Sequence, residues 1–579
     1  MIQSRVIVFS FFVLAFFAPW AMGQDPAGTG PPIGTDDQNR PQPTAATSAP
    51  GSFDQVIERV VQRERFFVAQ MRHLHPLVET YIQNLKGKDE KAVPVSDEYF
   101  LGRLNMSNGP EDISFKEQSK DRSVRRLFLP KLTNIFQMKF LPLGFAQMVL
   151  LDENFQRENY DFAFLRREFL GEIRCLVIDV QPKQKSAVGR FVGRIWVEDQ
   201  NYNIVRFNGT YNSHRRNEHF LHFDTWRLNL RPGVWLPAYI YSEESHATDP
   251  DGRKLHFKAQ TRFWGYALGR AGANQEFTEI VVDSAQGIKD QSAERQDASP
   301  FESEGQWEHE AEDNVIDRLQ NMGLIAPPGE VDKVLQTVVN NLMVTNSLNI
   351  QPEVRVRVLL TAPLESFTVG HTIVVSRGLL DVLPDEASLA MVLAHELGHV
   401  ALGHRVETDF AFGDRMLFPD ENTFVRFNFR RTAADEEASD AKAIEFLSKS
   451  PYKEKLGNAG LFLEELQLQV AVLKNLIRPH LGNGLTNDKA VRMSALIKSA
   501  PKLEPEKLDQ IAALPLGGRV KMDPWSDKIE LAKAAPIVLT SASQKMPFEV
   551  TPLFPFLKRF STADSTTGTS AVNTPGGVQ

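Results

Sequence analysis

A short motif in the second half of the chain has the residue types of a metal site. It reads His395-Glu396-Leu397-Gly398-His399. Residues four apart lie on the same face of a helix, so His395 and His399 would present two imidazoles to one point. Two neutral imidazoles at that separation suit a tetrahedral Zn²⁺ ion. Glu396 lies beside them and could take a proton from a metal-bound water. The motif therefore predicts a zinc site with its own general base.

The sequence around the motif predicts the helix that must carry it. Asp385 and Glu386, after Pro384, form a plausible helix start. Apolar residues follow at Leu389, Met391, Val392, Leu393, Leu397 and Val400. Unpaired histidine and glutamate side chains would be costly in so apolar a helix. A metal site therefore explains them better than a polar helix face does.

Two histidines need a third protein ligand and leave one position open for water. His404 misses by one residue the spacing of a third zinc histidine, and Glu407 would need a sharp turn. Glu436 is the better candidate. Asp440 follows four residues later on the same predicted helix, where it could accept the free N–H of a ligand histidine and orient it. The alternative is an acidic, exposed helix turn.

Composition limits the other classes of function. The 579 residues allow about three domains. The net charge of −8 and the lack of a basic block argue against a nucleic-acid binder. The single cysteine, Cys175, lies in an apolar run and is expected to be buried. An intrachain disulfide and a cysteine-ligated zinc site are therefore excluded.

The first residues have the pattern of a secretory signal. Arg5 precedes an apolar stretch at 6–18, and Ala21 and Gly23 are small residues before a cut at Gln24. The stretch is too short for a transmembrane helix. We therefore expect an exported protein, periplasmic or secreted, with no integral membrane segment in the mature chain. The alternative is an uncleaved anchor.

The predicted fold is an α+β multidomain chain. A curved antiparallel β-sheet domain is followed by a mainly helical zincin metalloprotease domain with a small sheet. The predicted segments are a signal peptide (1–23), a disordered linker (24–51), an N-terminal helix (52–90), an antiparallel β domain (91–285), an acidic linker (286–314), the zinc metalloprotease domain (315–510), an extended C-terminal segment packed on the body (511–560) and a disordered tail (561–579).

The predicted β domain consists of aromatic and β-branched runs separated by turn signals, at the spacing of successive hairpins. Within it, residues 191–206 resemble the lipoprotein-carrier sheet domains of LolA and LolB type. That resemblance implies a concave apolar face that holds a lipid, a lipoprotein or a peptide. A structural or docking domain is the alternative.

The metal motif, followed by Glu436-x-x-x-Asp440-x-x-Ala443, resembles the gluzincin family. This family includes the CAAX prenyl proteases, HtpX and the soluble OMA-type and BepA-type proteases. The resemblance implies one Zn²⁺ per chain bound by His395, His399 and Glu436, with Glu396 as general base. It also implies a substrate backbone paired along an edge strand ahead of the motif helix.

Two stretches depart from the family pattern. Members often carry Asn-Ala-Phe on the edge strand, where this chain has Glu365-Ser366-Phe367-Thr368-Val369. Members also tend to carry His-Pro before a late arginine. Thr486 and Asn487 stand there instead, and His480 could compensate. Arg492 remains as a candidate for stabilising the oxyanion.

These features favour a zinc endopeptidase that hydrolyses exported or envelope polypeptides, with quality control as one such role. The competing interpretation is a non-catalytic lipid- or lipoprotein-binding or chaperone-like module on a protease scaffold. Residues 409–431, rich in phenylalanine and arginine, predict either a lid over the cleft or an ordinary packed loop.

Overall fold

The structure is a computed structural model that describes most of the two predicted domains. The described residues are 52–87, 93–105, 111–114, 148–151, 155–183, 190–212, 221–248, 254–266, 300–405, 427–486, 491–504, 520–523, 528–531 and 557–560. The predicted signal peptide, the linker at 24–51, the tail at 561–579 and most of the 409–431 and 511–560 segments lie outside these residues.

Ten antiparallel strands form one curved sheet in the first half of the described chain. They are β1 Leu77–Lys86, β2 Val93–Asn105, β3 Glu111–Ser114, β4 Tyr160–Leu170, β5 Ile173–Pro182, β6 Phe191–Glu198, β7 Ile204–Tyr211, β8 Phe223–Arg231, β9 Val234–Thr248 and β10 Lys254–Trp264. Their order across the sheet is β3-β2-β1-β10-β9-β8-β7-β6-β5-β4. Neighbouring strands follow each other in sequence except where β1 meets β10, which confirms the predicted antiparallel meander.

The N-terminal helix is shorter than predicted. Helix α1 spans Phe53–Met71 and begins at Ser52, whose side chain accepts from Gln55 N. The predicted helical segment 52–90 is wrong beyond Met71, because residues 77–86 form strand β1. Pro76 has no N–H to continue a helix. The residues after it pair with both β2 and β10, so tertiary pairing overrides the local helical period.

Helix α1 covers one face of the sheet. Its apolar residues pack with the side chains that point to that face, including Ile82, Phe207 and Phe223. The apolar residues that α1 contributes are Val56, Ile57, Val60, Val61, Phe67 and Met71. A buried ion pair fixes the contact, since Nη1 and Nη2 of Arg227 donate to the two carboxylate oxygens of Glu64, at 2.7 and 2.8 Å. Helix α1 therefore buries the apolar side chains on this face of the sheet.

The other face of the sheet carries a second apolar cluster, which includes Cys175, Trp196 and Trp226. Leu557 is fully buried in this cluster, and its carbonyl accepts from Glu172 N at 2.9 Å. Residues 557–560 therefore pack on the sheet, far in sequence from the strands they cover.

The second half is mainly helical with a small three-stranded sheet, as predicted. Its elements are helices α2 Pro300–Asn321, α3 Glu330–Thr345, α4 Arg377–Val382, α5 Glu386–Ala401, α6 Ala433–Ser448, α7 Leu456–Gln469, α8 Lys474–Ile477 and α9 Ser494–Ser499, strands β11 Arg355–Leu359, β12 Ser366–Val369 and β13 Thr372–Ser376, and a hairpin of β14 Val520–Asp523 and β15 Lys528–Leu531. In the three-stranded sheet β12 lies at an edge, antiparallel to β13, which is parallel to β11.

The predicted acidic linker, 286–314, is partly helical. Helix α2 begins at Pro300, and its second half buries Val315, Ile316 and Leu319. Proline suits the first turn of a helix and glutamate is a good helix former, so the acidic composition was misleading here. None of the helices in the described part of the chain has the length and apolar character needed to cross a membrane.

The two halves share a core. Below, α1 with β1–β10 is called the sheet region, and α2–α9 with β11–β13 the helical region. Leu77, Tyr81, Tyr99, Leu101 and Trp264 of the sheet region belong to the same apolar cluster as the centre of the helical region. Strands β1, β2 and β10 therefore pack directly against the part of the chain that carries the metal motif.

Candidate metal centre

Helix α5 holds both histidines of the motif. The Asp385 side chain caps its first turn by accepting from Ser388 N at 2.8 Å. The helix continues through His395 and His399, both almost fully buried. The Nε2 atoms of the two rings lie 3.3 Å apart, so the spacing of four residues does bring both imidazoles to one point.

Helix α6 brings the third candidate ligand. It begins at Thr432, which forms a capping box with Asp435. Glu436 follows in the first turn, buried, with Oε2 at 3.3 Å from His395 Nε2 and Oε1 at 3.4 Å from His399 Nε2. The structure therefore places His395, His399 and Glu436 together as one potential metal-binding group.

A glycine allows α5 and α6 to approach this closely. A Cβ atom on Gly398 would lie 2.5 Å from Ser439 Oγ and 3.0 Å from the Ser439 carbonyl oxygen. The Ser439 hydroxyl donates to the carbonyl of His395. The two helices thus make close contact beside His399 and one turn from His395 and Glu436.

The donor set fits a zinc ion. Two imidazole nitrogens and a carboxylate are common zinc ligands, and ligand atoms about 2.0–2.1 Å from a tetrahedral ion lie about 3.3 Å from each other. The two histidine Nε2 atoms are 3.3 Å apart, and each lies close to a different oxygen of Glu436, at 3.3 and 3.4 Å. One ligand atom from each of the three residues lies within 4.8 Å of the other two.

The electrostatics also suit a bound cation. Burial alone would raise the pKa of Glu436, but hydrogen bonding to His395 and His399 and the charge of Arg492 outweigh it and hold the pKa well below its usual range. Burial lowers the pKa of His395, yet Asp440 and Glu436 overcome this effect and raise it to about 10. A metal ion would replace that proton, because a ligand histidine must be neutral.

The ring nitrogens that point away from the centre each lie close to another titratable side chain. Asp440 Oδ1 lies 2.9 Å from His395 Nδ1. His404 Nδ1 lies 2.9 Å from His399 Nδ1. His404 thus contacts a candidate ligand from behind rather than joining the ligand set. Carboxylates in the position of Asp440 orient a metal-binding imidazole and fix which nitrogen is protonated.

Glu396 is held by two hydroxyl groups of strand β12. Ser366 Oγ donates to Oε1 at 2.7 Å, and Thr368 Oγ1 donates to Oε2 at 2.6 Å. Glu396 is 4% exposed, so this is a buried contact. Residues two apart on a strand point to the same side, which explains why both hydroxyls reach one carboxylate. We call these two residues the hydroxyl pair.

Arg492 lies beside the candidate metal centre, where it contacts the candidate ligand Glu436 and the nearby Asp440. Its Nε is 3.1 Å from Glu436 Oε2, and its Nη1 is 3.9 Å from Asp440 Oδ2. Its role in stabilising an oxyanion stays a prediction. The His480 ring stacks on Tyr99 of the sheet region at 5.1 Å. Thr486 is buried, and Asn487 lies outside the described residues.

Three residues near the site were not predicted as part of it. The hydroxyl pair holds Glu396, and the amide of Asn483 donates to Glu436 Oε1. The alternation of two hydroxyl residues, Ser366 and Thr368, on a predicted strand was the available signal for the pair. Asn483 had none, because it comes from a loop whose path the local pattern does not specify.

Comparisons with solved structures give low structural similarity. They include a domain described as an outer membrane lipoprotein-sorting protein from Vibrio parahaemolyticus, with 11% identity over 38% of this chain and 97% of that chain and a TM-score of 0.22. A LolA superfamily protein from Nitrosomonas europaea has 11% identity over 39% and 97%, with a TM-score of 0.19. A DUF1329 family protein from Desulfovibrio piger has 12% identity over 38% and 97%, with a TM-score of 0.18.

No curated protein matches the chain. A family model for peptidase family M48 matches residues 330–420, which include α5 and the hydroxyl pair. Residues 330–420 are therefore similar to peptidase family M48, and the predicted resemblance to the zincin metallopeptidases is confirmed.

Proposed function

We propose that this chain is a zinc-dependent endopeptidase that hydrolyses peptide bonds of exported or envelope polypeptides. The observation that carries the proposal is the convergence of His395, His399 and Glu436 beside the buried Glu396. A non-catalytic scaffold would need no carboxylate held by two hydroxyls next to the three ligands.

The residues divide the work as follows. His395, His399 and Glu436 would hold the ion, which would supply a Lewis acid and lower the pKa of a bound water. Glu396 accepts the proton of the attacking water and passes it to the leaving amine. Ser366 and Thr368 fix the Glu396 carboxylate, and Asp440 fixes the His395 ring. Arg492 would carry positive charge near the reacting carbonyl.

Strand β12 is the proposed substrate strand. It pairs on one side with β13 and lies at the edge of its sheet. Its four residues are at most 3% exposed, so an extended polypeptide that adds to its other side would displace the residues that now cover it. Arg431 donates to Thr368 O at 2.9 Å on this strand, and a substrate backbone that pairs there would replace that bond. Pairing through the main chain favours polypeptides without a narrow side-chain requirement.

The proposal is tested with unfolded, fluorescently labelled casein, zinc-loaded protein and a Glu396→Gln variant. Cleavage by the wild type and at least a thousandfold less by the variant, at equal zinc content, would support it. Equal cleavage by both would identify a contaminant. No cleavage by a folded, zinc-loaded wild type of this or a panel of envelope polypeptides would contradict the proposal.

The structure gives little support to the lipid-binding alternative. One apolar face of the sheet region is covered by α1, which the buried Glu64–Arg227 pair holds in place, and Leu557 packs on the apolar cluster of the other face. A lipid at the face that α1 covers would have to displace the helix. Lipid that co-purifies with the chain would revive the alternative, and lipid extraction followed by mass spectrometry detects it.

A further inference from the structure

Two buried carboxylates of the sheet region contact two segments that pack next to strand β12. One segment is residues 362–364, just before β12 in sequence, and the other runs from α8 to His480. Asp97 lies on β2 and Glu79 on the adjacent β1. Asp97 is 6% exposed and Glu79 2% exposed. Both accept hydrogen bonds from backbone N–H groups of the helical region, although neither is near the metal motif in sequence.

Asp97 holds the first turn of α8. Its two carboxylate oxygens accept from Asn475 N at 2.9 Å and Leu476 N at 2.7 Å, in the manner of a helix cap supplied by another part of the chain. The carbonyl of Leu476 then accepts from Leu364 N at 2.7 Å. Leu364 comes two residues before Ser366, so Asp97 is connected to β12 through two consecutive hydrogen bonds.

Glu79 holds residues 362–364. Its Oε1 accepts from Ala362 N at 2.6 Å and from the Tyr99 hydroxyl at 2.9 Å, and Arg262 pairs with its Oε2. The Tyr99 ring stacks on His480, which follows α8 in sequence. Hydrogen bonds to buried carboxylates are among the stronger ones, and breaking them leaves a costly unpaired charge.

We propose that Asp97 and Glu79 are positioning residues for Glu396. They fix residues 362–364 and α8, these fix strand β12, and the hydroxyl pair of β12 fixes the Glu396 carboxylate. The sheet region is then a structural part of the catalytic cleft, and a partner that disturbs β1 or β2 would change turnover. The inference rests on the proposed endopeptidase function.

The first test compares Asp97→Asn with wild type in casein cleavage. Asparagine keeps the size of aspartate but offers one acceptor oxygen in place of two. We expect kcat to fall by about tenfold or more, with KM and zinc content unchanged, because the base is misplaced while the metal is retained. Asp224→Asn is the matched control, since the buried Asp224 carboxylate pairs with Arg206 inside the sheet region. An equal loss in both variants would overturn the proposal.

A double-mutant cycle separates positioning from general destabilisation. In a Ser366→Ala, Thr368→Val background, Asp97→Asn should lower kcat by less than twofold further, because the connection to Glu396 is already cut. Full additivity would overturn the proposal.

Amide hydrogen exchange tests the proposal without measuring enzyme activity. Amide exchange of the peptide 364–369 should rise in Asp97→Asn and in the milder Tyr99→Phe, but not in Asp224→Asn. If the wild type does not cleave and this exchange still rises, the proposed function fails while the positioning contact stands. Unchanged exchange in folded Asp97→Asn and Tyr99→Phe proteins would overturn the contact itself.

Discussion

Asp440 Oδ1 lies 2.9 Å from Nδ1 of His395, on the side of the ring opposite to the candidate metal centre. The two residues lie on different helices, α6 and α5, which pack closely because Gly398 has no side chain where it meets Ser439. A carboxylate in this place raises the basicity of the imidazole and fixes its orientation.

Asp440→Ala should therefore lower zinc affinity by about 10- to 100-fold while the fold is retained. Competition with a chromophoric chelator measures the affinity, and circular dichroism checks the fold. Glu445→Gln on the same helix is the control, because the exposed Glu445 pairs only with Lys442 and Lys449 among the described residues. Equal zinc affinity in wild type and a folded Asp440→Ala protein would show that Asp440 does not orient the ligand.

The hydroxyl pair makes a separate prediction about turnover. Thr368→Val keeps the shape of the side chain but removes the donor to Glu396, as Ser366→Ala does on the other oxygen. Since a hydrogen bond to a charged group contributes about 1.5–3 kcal/mol, each change should lower kcat by about tenfold or more. Thr368→Ser retains the hydroxyl and should keep most of the activity. A Thr368→Val protein as active as Thr368→Ser would show that the hydroxyl is dispensable.

Gly398→Ala should destabilise the protein even though alanine favours helices by about 1 kcal/mol over glycine. The new methyl group would lie 2.5 Å from Ser439 Oγ and force α6 away from α5. We expect the free energy of unfolding to fall by about 1–3 kcal/mol and zinc affinity to fall with it, since Glu436 is on α6. Gly457→Ala in α7, whose methyl group would meet only Pro501 Cδ at 3.4 Å, is the control for thermal unfolding. A stabilised Gly398→Ala protein would contradict this packing.

Local periodicity could predict the parts of the site that lie within one helix. His395 and His399 are one turn apart, so their convergence follows from helix geometry alone. Glu436 and Asp440 are likewise one turn apart, although their approach to α5 depends on tertiary packing. Glu436 was predicted from coordination chemistry instead, because a zinc site with two histidine ligands needs a third protein ligand.

Contacts distant in sequence could not be predicted in this way. Asp97 and Asn475 are 378 residues apart, and no local pattern pairs a strand residue with a short helix in another region. The helix predicted over 52–90 failed for a related reason. Residues 77–86 have a mixed pattern, and their pairing with β2 and β10 decided in favour of a strand. Their burial beneath both α1 and the helical region became visible only in the fold.

The buried Glu64–Arg227 pair predicts a large loss of stability when only one partner is removed. Each side chain is 2% exposed, so Glu64→Ala would leave an unpaired guanidinium between α1 and the sheet. We expect a cost of about 3–5 kcal/mol. Replacing both residues, as in Glu64→Leu with Arg227→Met, should recover most of this loss because no charge remains buried. Urea unfolding of the single and double variants measures the difference, and additive losses would contradict an energetically coupled pair.

Glu365, immediately before β12, predicts a pH dependence of stability. Burial raises its pKa from 4.5 to about 7, against the opposing effect of hydrogen bonds from Leu481, His480 and Gly482 N–H groups. Between pH 4.5 and 7 the folded state therefore binds more protons at this group than the unfolded state does. Its contribution to the free energy of unfolding falls as pH rises through this window, by up to about 3 kcal/mol.

Glu365→Gln removes this titration. Because His480 N and Leu481 N both donate to the same carboxylate oxygen, at 2.9 Å each, the glutamine oxygen can keep these bonds. The loss of stability between pH 4.5 and 7 should thus be smaller in Glu365→Gln than in wild type, and the difference should reach its full size only near pH 7. Urea unfolding at intervals across this range measures it. Parallel pH profiles for the two proteins would mean that the pKa of Glu365 is the same in the folded and unfolded states, and that the N–H groups around it offset its burial.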